Sequence, residues 1–336
     1  MFILISSIII VKNSSKAEDN TFMGDSWTTK APMPTPRSAF ATGVVKNKIY
    51  AIGGWGGTGM GDGTSINEEY DPLNNTWTTK KPMQMARHHL AIGVVDNKIY
   101  AIGGWYGLHA IPAIEEYDPA TDNWTIKMTS MPTPRGWFAI GIVNERIYTL
   151  GGYDESASQS PQNEEYDTIN NTWQTKKDIP YAVDWHSVGV VNNKIYLFGG
   201  NPDSCTFEYD PILDIWTQKS SMHHQNRGMA SGVVYNKIYA IGGMESSKTN
   251  EEYNPVTDIW TNRTNDPKGR WESAAGVVNN KIYVMGGAFY NGSNPDITGL
   301  NEEYTPPLTN IIEFRTLIFP VSLTIVIIVA VWRKKI

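Results

Sequence analysis

Six histidines, one cysteine and a column of arginines are the residues of this 336-residue chain best suited to chemistry. The histidines form two adjacent pairs, His88-His89 and His223-His224, with His109 and His186 standing alone. Imidazoles from separate segments are common transition-metal ligands, and His88, His89, His186, His223 and His224 could converge at one opening. Neighbours on a strand point to opposite faces, so at most one of each pair would coordinate. Arg37, Arg87, Arg135 and Arg270 share one register, with Arg227 one place off and Val183 breaking the set. A ring of guanidinium groups offers charge-assisted donors to an anion; equally, each arginine can anchor a loop against a nearby glutamate. Trp55, Trp105, Tyr106, Trp137, Tyr153, Trp185, Trp271, Phe289 and Tyr290 follow no regular spacing. They are candidate exposed platforms for a sugar ring or a peptide. The ligand-binding set is therefore Arg37, Trp55, Arg87, His88, Trp105, Tyr106, Arg135, Trp137, Trp185, His186, His224, Arg227, Arg270 and Trp271. No catalytic residue, metal set or cofactor is assigned. The single Cys205 excludes an internal disulfide framework.

What positions these residues is a sentence repeated six times. Ile-Tyr recurs at 49-50, 99-100, 147-148, 195-196, 238-239 and 282-283, each time followed by Gly-Gly. Glu-Tyr follows, ending at Tyr70, Tyr117, Tyr166, Tyr209, Tyr253 and Tyr304. These landmarks resemble the kelch repeat over roughly residues 26–306, which implies an all-β, six-bladed β-propeller. The first repeat supplies strands at Phe40–Val45, Lys48–Gly53, Asn67–Tyr70 and Thr76–Thr79. Its first turn, Lys46-Asn47, has Asn-rich equivalents in every copy and predicts tight two-residue hairpins. A glycine at 43, 93, 141, 189, 232 and 276 is expected where inner strands crowd the axis.

Tryptophans predict how the ring closes. Outer-strand Trp77, Trp124, Trp173, Trp216 and Trp260 serve repeats one to five, and none follows Tyr304. Ser26-Trp27-Thr28-Thr29-Lys30 repeats the text of residues 76–80, so the N-terminal strand should complete the last blade. Turns joining strands one to two and three to four then lie on a plain face. The longer, variable connections lie on the other, with all six histidines.

A net charge of −6 and a pI near 5.6 argue against nucleic acid as partner. Residues 1–17 read as a signal peptide, 18–308 as the propeller and 309–316 as a linker. Leu317 to Trp332 reads as a transmembrane helix and 333–336 as a basic cytoplasmic tail, with the propeller outside the cell. Ile312-Glu313-Phe314 and Pro320 ahead of Arg333-Lys334-Lys335 resemble an archaeal PEF-type sorting signal, departing from it at Ile312 and Arg315. The chain leaves the last blade on the plain face, so that face is expected toward the membrane. Six Asn-x-Ser/Thr sequons, among them Asn74 and Asn170, permit glycosylation.

Kelch resemblance implies an interaction module, here one binding an extracellular glycan, peptide or protein on the variable face. The same fold also carries sugar mutarotases and copper radical oxidases, which would make the chain an enzyme. The oxidase needs a Cys–Tyr link and Tyr and His copper ligands, and the histidines here occupy unmatched registers. A spacer in a cell envelope is the third alternative.

Overall fold

Short runs of β-branched and aromatic residues, punctuated by Asn and Gly-Gly, cannot bury both faces as isolated hairpins and must stack. The computed structural model describes residues 24–56, 63–156, 158–201, 204–245, 247–291 and 294–308. Residues 25–306 form one body; a second unit comprises 1–24 and 307–336, of which Gly24, Pro307 and Leu308 are described. The signal peptide, linker, transmembrane helix and basic tail expected from the sequence lie outside the described residues. Among the described residues no helix is long and apolar enough to cross a membrane.

The body is six four-stranded antiparallel sheets, with the inner strand of each lying beside those of its two neighbours around a closed ring. Blade 1 is Ala41–Val45, Lys48–Ile52, Asn67–Asp71 and Thr76–Lys80, matching the strands read from the sequence to within a residue. Both residues of every first turn have positive φ, from Lys46 and Asn47 at 48° and 61° to Asn279 and Asn280 at 51° and 60°. That is the type I′ geometry the strand twist favours.

Blade 6 closes as the tryptophans indicated. Ser26–Thr29 pairs with Asn301–Thr305, setting Trp27 opposite Tyr304 as Trp77 is set opposite Tyr70. The N-terminal segment also reproduces a staple that joins neighbouring blades. In blade 2 the Tyr117 hydroxyl donates to Asp122 at 2.6 Å, and the Lys81 amide donates to the same oxygen at 2.9 Å. In blade 6 Tyr304 donates to Asp25 at 2.7 Å and the Thr264 amide donates to it at 2.9 Å. Trp27 Nε1 donates to the Thr264 carbonyl at 2.9 Å, as Trp124 does to Lys81 at 2.7 Å.

Six apolar clusters, one between each pair of neighbouring blades, make the core. The inner-strand glycines belong to these clusters, which corrects the expectation that the axis excludes their side chains. A Cβ on Gly189 would stand 2.6 Å from Ile238 of blade 5, and one on Gly276 would stand 2.7 Å from Ile49 of blade 1. Each glycine is thus a socket for the Ile of the next Ile-Tyr. The axis is lined instead by Ala41, Ala91, Ala139, Ser187, Ala230 and Ala274, around a cavity of about 210 Å³.

Candidate functional site

The arginine column runs inside the blades, not around the mouth. Arg37, Arg87, Arg135 and Arg270 are fully buried, each against the first Glu of its own Glu-Glu-Tyr. Arg37 pairs with Glu68 at 2.7 Å, Arg87 with Glu115 at 3.2 Å, Arg135 with Glu164 at 2.5 Å and Arg270 with Glu302 at 2.7 Å. Arg37 also donates to the Gly53 carbonyl at 2.8 Å, tying the inner-strand lead to the end of the second strand. Burial lowers the pKa of Arg87 to about 10, leaving it charged at neutral pH. These four are therefore withdrawn from the ligand-binding set: a ligand on the surface cannot reach them.

The exceptions follow physical logic. Blade 4 replaces both partners, with Val183 and Phe207 buried where the others carry Arg and Glu. Blade 5 has Asn226 at the arginine register, donating to the Gly242 carbonyl at 2.6 Å. Its Glu251 accepts instead from the backbone amides of His223 and His224, at 2.9 and 3.2 Å, and lies 2.8 Å from His224 Nδ1. His224 thus belongs to that framework site rather than to the mouth, a second correction. Arg227 occupies the position after the arginine register, the place of His88 and Trp271 in other blades. In blade 6, Asp266 and Glu302 both contact Arg270; burial and the neighbouring Asp266 push Glu302 up to about 7.

Two residues beyond the arginine register the chain does something sequence reading missed. Ala39, His89, Trp137, Trp185, Gly228 and Glu272 all have φ between 51° and 66°. Each amide donates to the carbonyl of the preceding blade's residue, closing a ring. The distances are 2.7 Å from His89 to Ala39, 3.2 Å from Trp137 to His89 and 3.1 Å from Trp185 to Trp137. They continue at 2.8 Å from Gly228 to Trp185, 2.9 Å from Glu272 to Gly228 and 3.1 Å from Ala39 to Glu272. Positive φ costs a non-glycine residue about 1–2 kcal/mol, and the ring of bonds holds five of them there. Nothing in Ala, His, Trp or Glu signals that conformation; a column count two places past the arginine would have aligned them.

Their side chains make the mouth. Trp137 and Trp185 lie 6.0 Å apart with planes 12° from parallel, and Trp185 lies 6.1 Å from Trp271. His89 packs on Trp137 at 4.2 Å, and its Nε2 meets Glu272 at 2.8 Å, bridging blades 2 and 6. His88 Nδ1 lies 2.5 Å from His89 Nδ1, so one of the two rings donates to the other. Arg227 rests over Trp185 at 5.8 Å and pairs with Glu245 at 2.9 Å. Trp105 packs on Trp137 at 5.7 Å. Beside them a cavity of about 330 Å³ opens between His88, Trp105, Trp137, Tyr153, Asp154 and Glu155.

The other members of the ligand-binding set are placed as follows. Trp105 and Trp271 are largely buried and support the mouth, whereas Trp137 and Trp185 are half-buried within it, each with part of its surface open. Tyr106 projects from a small hairpin over blade 2, and half-buried Trp55 pairs by its backbone with Ser38. His186 is buried, and desolvation pushes its imidazole down to about 3, so it is a neutral core residue and not a surface ligand. The five histidines do not converge. Among the described residues no group of three or more His, Cys, Asp or Glu side chains is placed to hold a metal ion. Among the described residues Cys205 takes part in no disulfide.

Comparison with known proteins agrees with this architecture. Residues 116–287 match the KLHDC2/KLHL20/DRC7 Kelch-repeats domain, and residues 36–84 and 86–131 match the Kelch motif. No curated protein sequence matches the chain significantly. The solved structure of YjhT superposes with a TM-score of 0.69 at 15% identity, covering 81% of this chain and 95% of that one, a likeness of fold. Six blades with one repeated framework and a variable mouth, matched by a kelch model over residues 116–287, place this chain in the kelch-repeat family.

Proposed function

We propose that this chain is a membrane-anchored, cell-surface recognition module that binds an extracellular glycan, peptide or protein at its variable-face mouth. The observation carrying this reading is the partly exposed Trp137–Trp185 pair, held at positive φ by the closed backbone ring. Side chains pinned in that way lose little freedom on binding, and flat indole faces suit sugar rings and peptide groups. Withdrawal of the four arginines, together with Glu272, Asp154 and Glu155 around the opening, favours a neutral or cationic ligand over an anionic one. The test is a glycan and peptide array on the purified protein, followed by titration of any hit. Trp137→Ala and Trp185→Ala should each weaken a specific hit about 30-fold, the effect of a central aromatic anchor. A hit that survives both substitutions removes the mouth from the argument and places binding elsewhere on the protein; no hit at all favours a protein partner or the envelope-spacer role.

A specific observation keeps a second reading in view. His89 and Glu272, hydrogen bonded at 2.8 Å beside an aromatic platform, are two titratable groups placed to exchange a proton with a bound sugar. Turnover of a bound sugar, lost in Glu272→Gln with binding retained, would establish it.

A further inference from the structure

The turns between third and fourth strands carry a feature that folding does not require. Each is built on an Asx side chain that accepts an amide two residues on. Asp71 accepts from Leu73 at 3.0 Å, Asp118 from Ala120, Asp167 from Ile169 and Asp210 from Ile212 at 2.9 Å, and Asn254 from Val256 at 3.0 Å. Blade 2 makes the turn with alanine, so a large side chain at that place is not needed for its geometry. Yet Leu73 is 90% exposed, Ile169 68%, Ile212 78% and Val256 84%, and none gains stability from packing. All of them stand on the plain face, at the rim, spaced around the ring by the blade repeat.

We propose that this aliphatic rim seats on the surface of a lipid bilayer, an inference that rests on the reading of the chain as membrane-anchored. The spacing argues for lipid over protein. A protein interface needs a contiguous apolar core, whereas these tips are separate points, and a fluid hydrocarbon boundary admits separate points at no cost in fit. The chain's own course argues the same way. The third strand of blade 6, Asn301–Thr305, runs to the plain face, and the apolar stretch from Leu317 starts twelve residues later. Beside the tips the charges are already paired, Lys48 with Asp71, Lys98 with Asp118, Arg146 with Asp167 and Lys194 with Asp210. The seat therefore asks for hydrocarbon and not for anionic headgroups. Its work is orientation: it turns the recognition mouth away from the membrane.

The experiment uses the full chain reconstituted in phosphatidylcholine liposomes, in a Cys205→Ser background. Single cysteines replacing Leu73, Val256 and, on the variable face, Tyr106 are labelled with an environment-sensitive fluorophore, with lipid-borne quenchers added. Labels at 73 and 256 should be quenched about threefold more than the label at 106, and adding anionic lipid should not change this. Equal quenching at all three sites, with the protein still co-floating with liposomes, overturns the rim and leaves the anchor standing. Failure to co-float overturns both. A tip signal that changes with protein concentration in the absence of lipid assigns the rim to a second copy instead. Glycans found on Asn74 or Asn170, whose amides donate to Asp71 and Asp167 inside these turns, would also overturn the seat.

Discussion

Ring closure at blade 6 carries its own internal control, because Asp25 and Asp122 perform the same task on different chain segments. Asp25→Ala removes the acceptor of the buried Tyr304 hydroxyl and of the Thr264 amide, formerly at 2.7 and 2.9 Å. A buried donor left without its charged acceptor costs about 1–3 kcal/mol, and two donors are affected, one of them at the surface. An expected loss of about 3 kcal/mol lowers the melting temperature of a body this size by roughly 6 °C. Asp122→Ala should match it, since Tyr117 and Lys81 lose the same two bonds. Asp25→Asn should stay close to the parent, because Asn75 and Asn171 already hold this place for Tyr70 and Tyr166. Scanning calorimetry of the four proteins decides the matter. A drop in Asp122→Ala with none in Asp25→Ala would show that the N-terminal strand does not close the ring in solution.

Three further outcomes follow from the framework. Arg135→Val or Glu164→Phe alone should each cost about 3–5 kcal/mol in urea unfolding, by stranding a buried charge, while the double variant recovers most of that; blade 4 already uses Val183 and Phe207. No recovery in the double variant would mean the pair does more than fill its site. Gly189→Ala sets a methyl 2.6 Å from Ile238 Cγ2 and should cost about 1–3 kcal/mol, a penalty absent in an Ile238→Ala background, which removes all three atoms the methyl meets; an unchanged midpoint would sink the socket argument. His186 has its folded pKa depressed to about 3, so the unfolded chain binds the extra proton below its ordinary value near 6.5, and stability falls as pH drops from there. That amounts to about 2 kcal/mol between pH 6.5 and pH 5. Glu302, raised to about 7, acts in the opposite sense over part of the same range. The clean readout is therefore the difference between the parent and His186→Leu: the parent's denaturation midpoint should fall relative to the variant's as pH drops. A constant gap would contradict the burial assignment.

The repeat made the frame legible because the same demands recur six times. Ile-Tyr, Gly-Gly and Glu-Tyr mark strand ends, Asn-rich pairs mark type I′ turns, and a displaced Ser-Trp-Thr-Thr-Lys marks the closing strand. Column position, however, does not tell whether a side chain points inward or outward. Arg37 and its equivalents read equally well as surface donors or internal struts, and only the distance to Glu68 separates the two. In blade 5 the one-place offset of Arg227 was legible, but not that Asn226 fills the arginine column with a bond to the Gly242 carbonyl. The backbone ring beneath the mouth escaped notice because its unity is conformational: Ala39, His89, Trp137, Trp185, Gly228 and Glu272 share a dihedral angle and no chemistry. Irregular aromatics did lead to Trp137 and Trp185, whose lack of periodicity is what a variable surface requires.

The backbone ring at that mouth has an electrical consequence. Six residues, each giving its N–H to one neighbour and its C=O to the other, close a ring of hydrogen bonds whose dipoles in the plane of the ring cancel. Their N–H groups point along the circumference, toward the next carbonyl. Occupied in the ring, these six amides are not offered to a ligand at the opening, in contrast to the exposed amides at a helix start that attract anions. The ring thus leaves the polarity of the threshold to the side chains it carries. Exchanging one residue in the ring, such as Glu272 or His89, rewrites the polarity of the doorway and leaves the hoop beneath it intact.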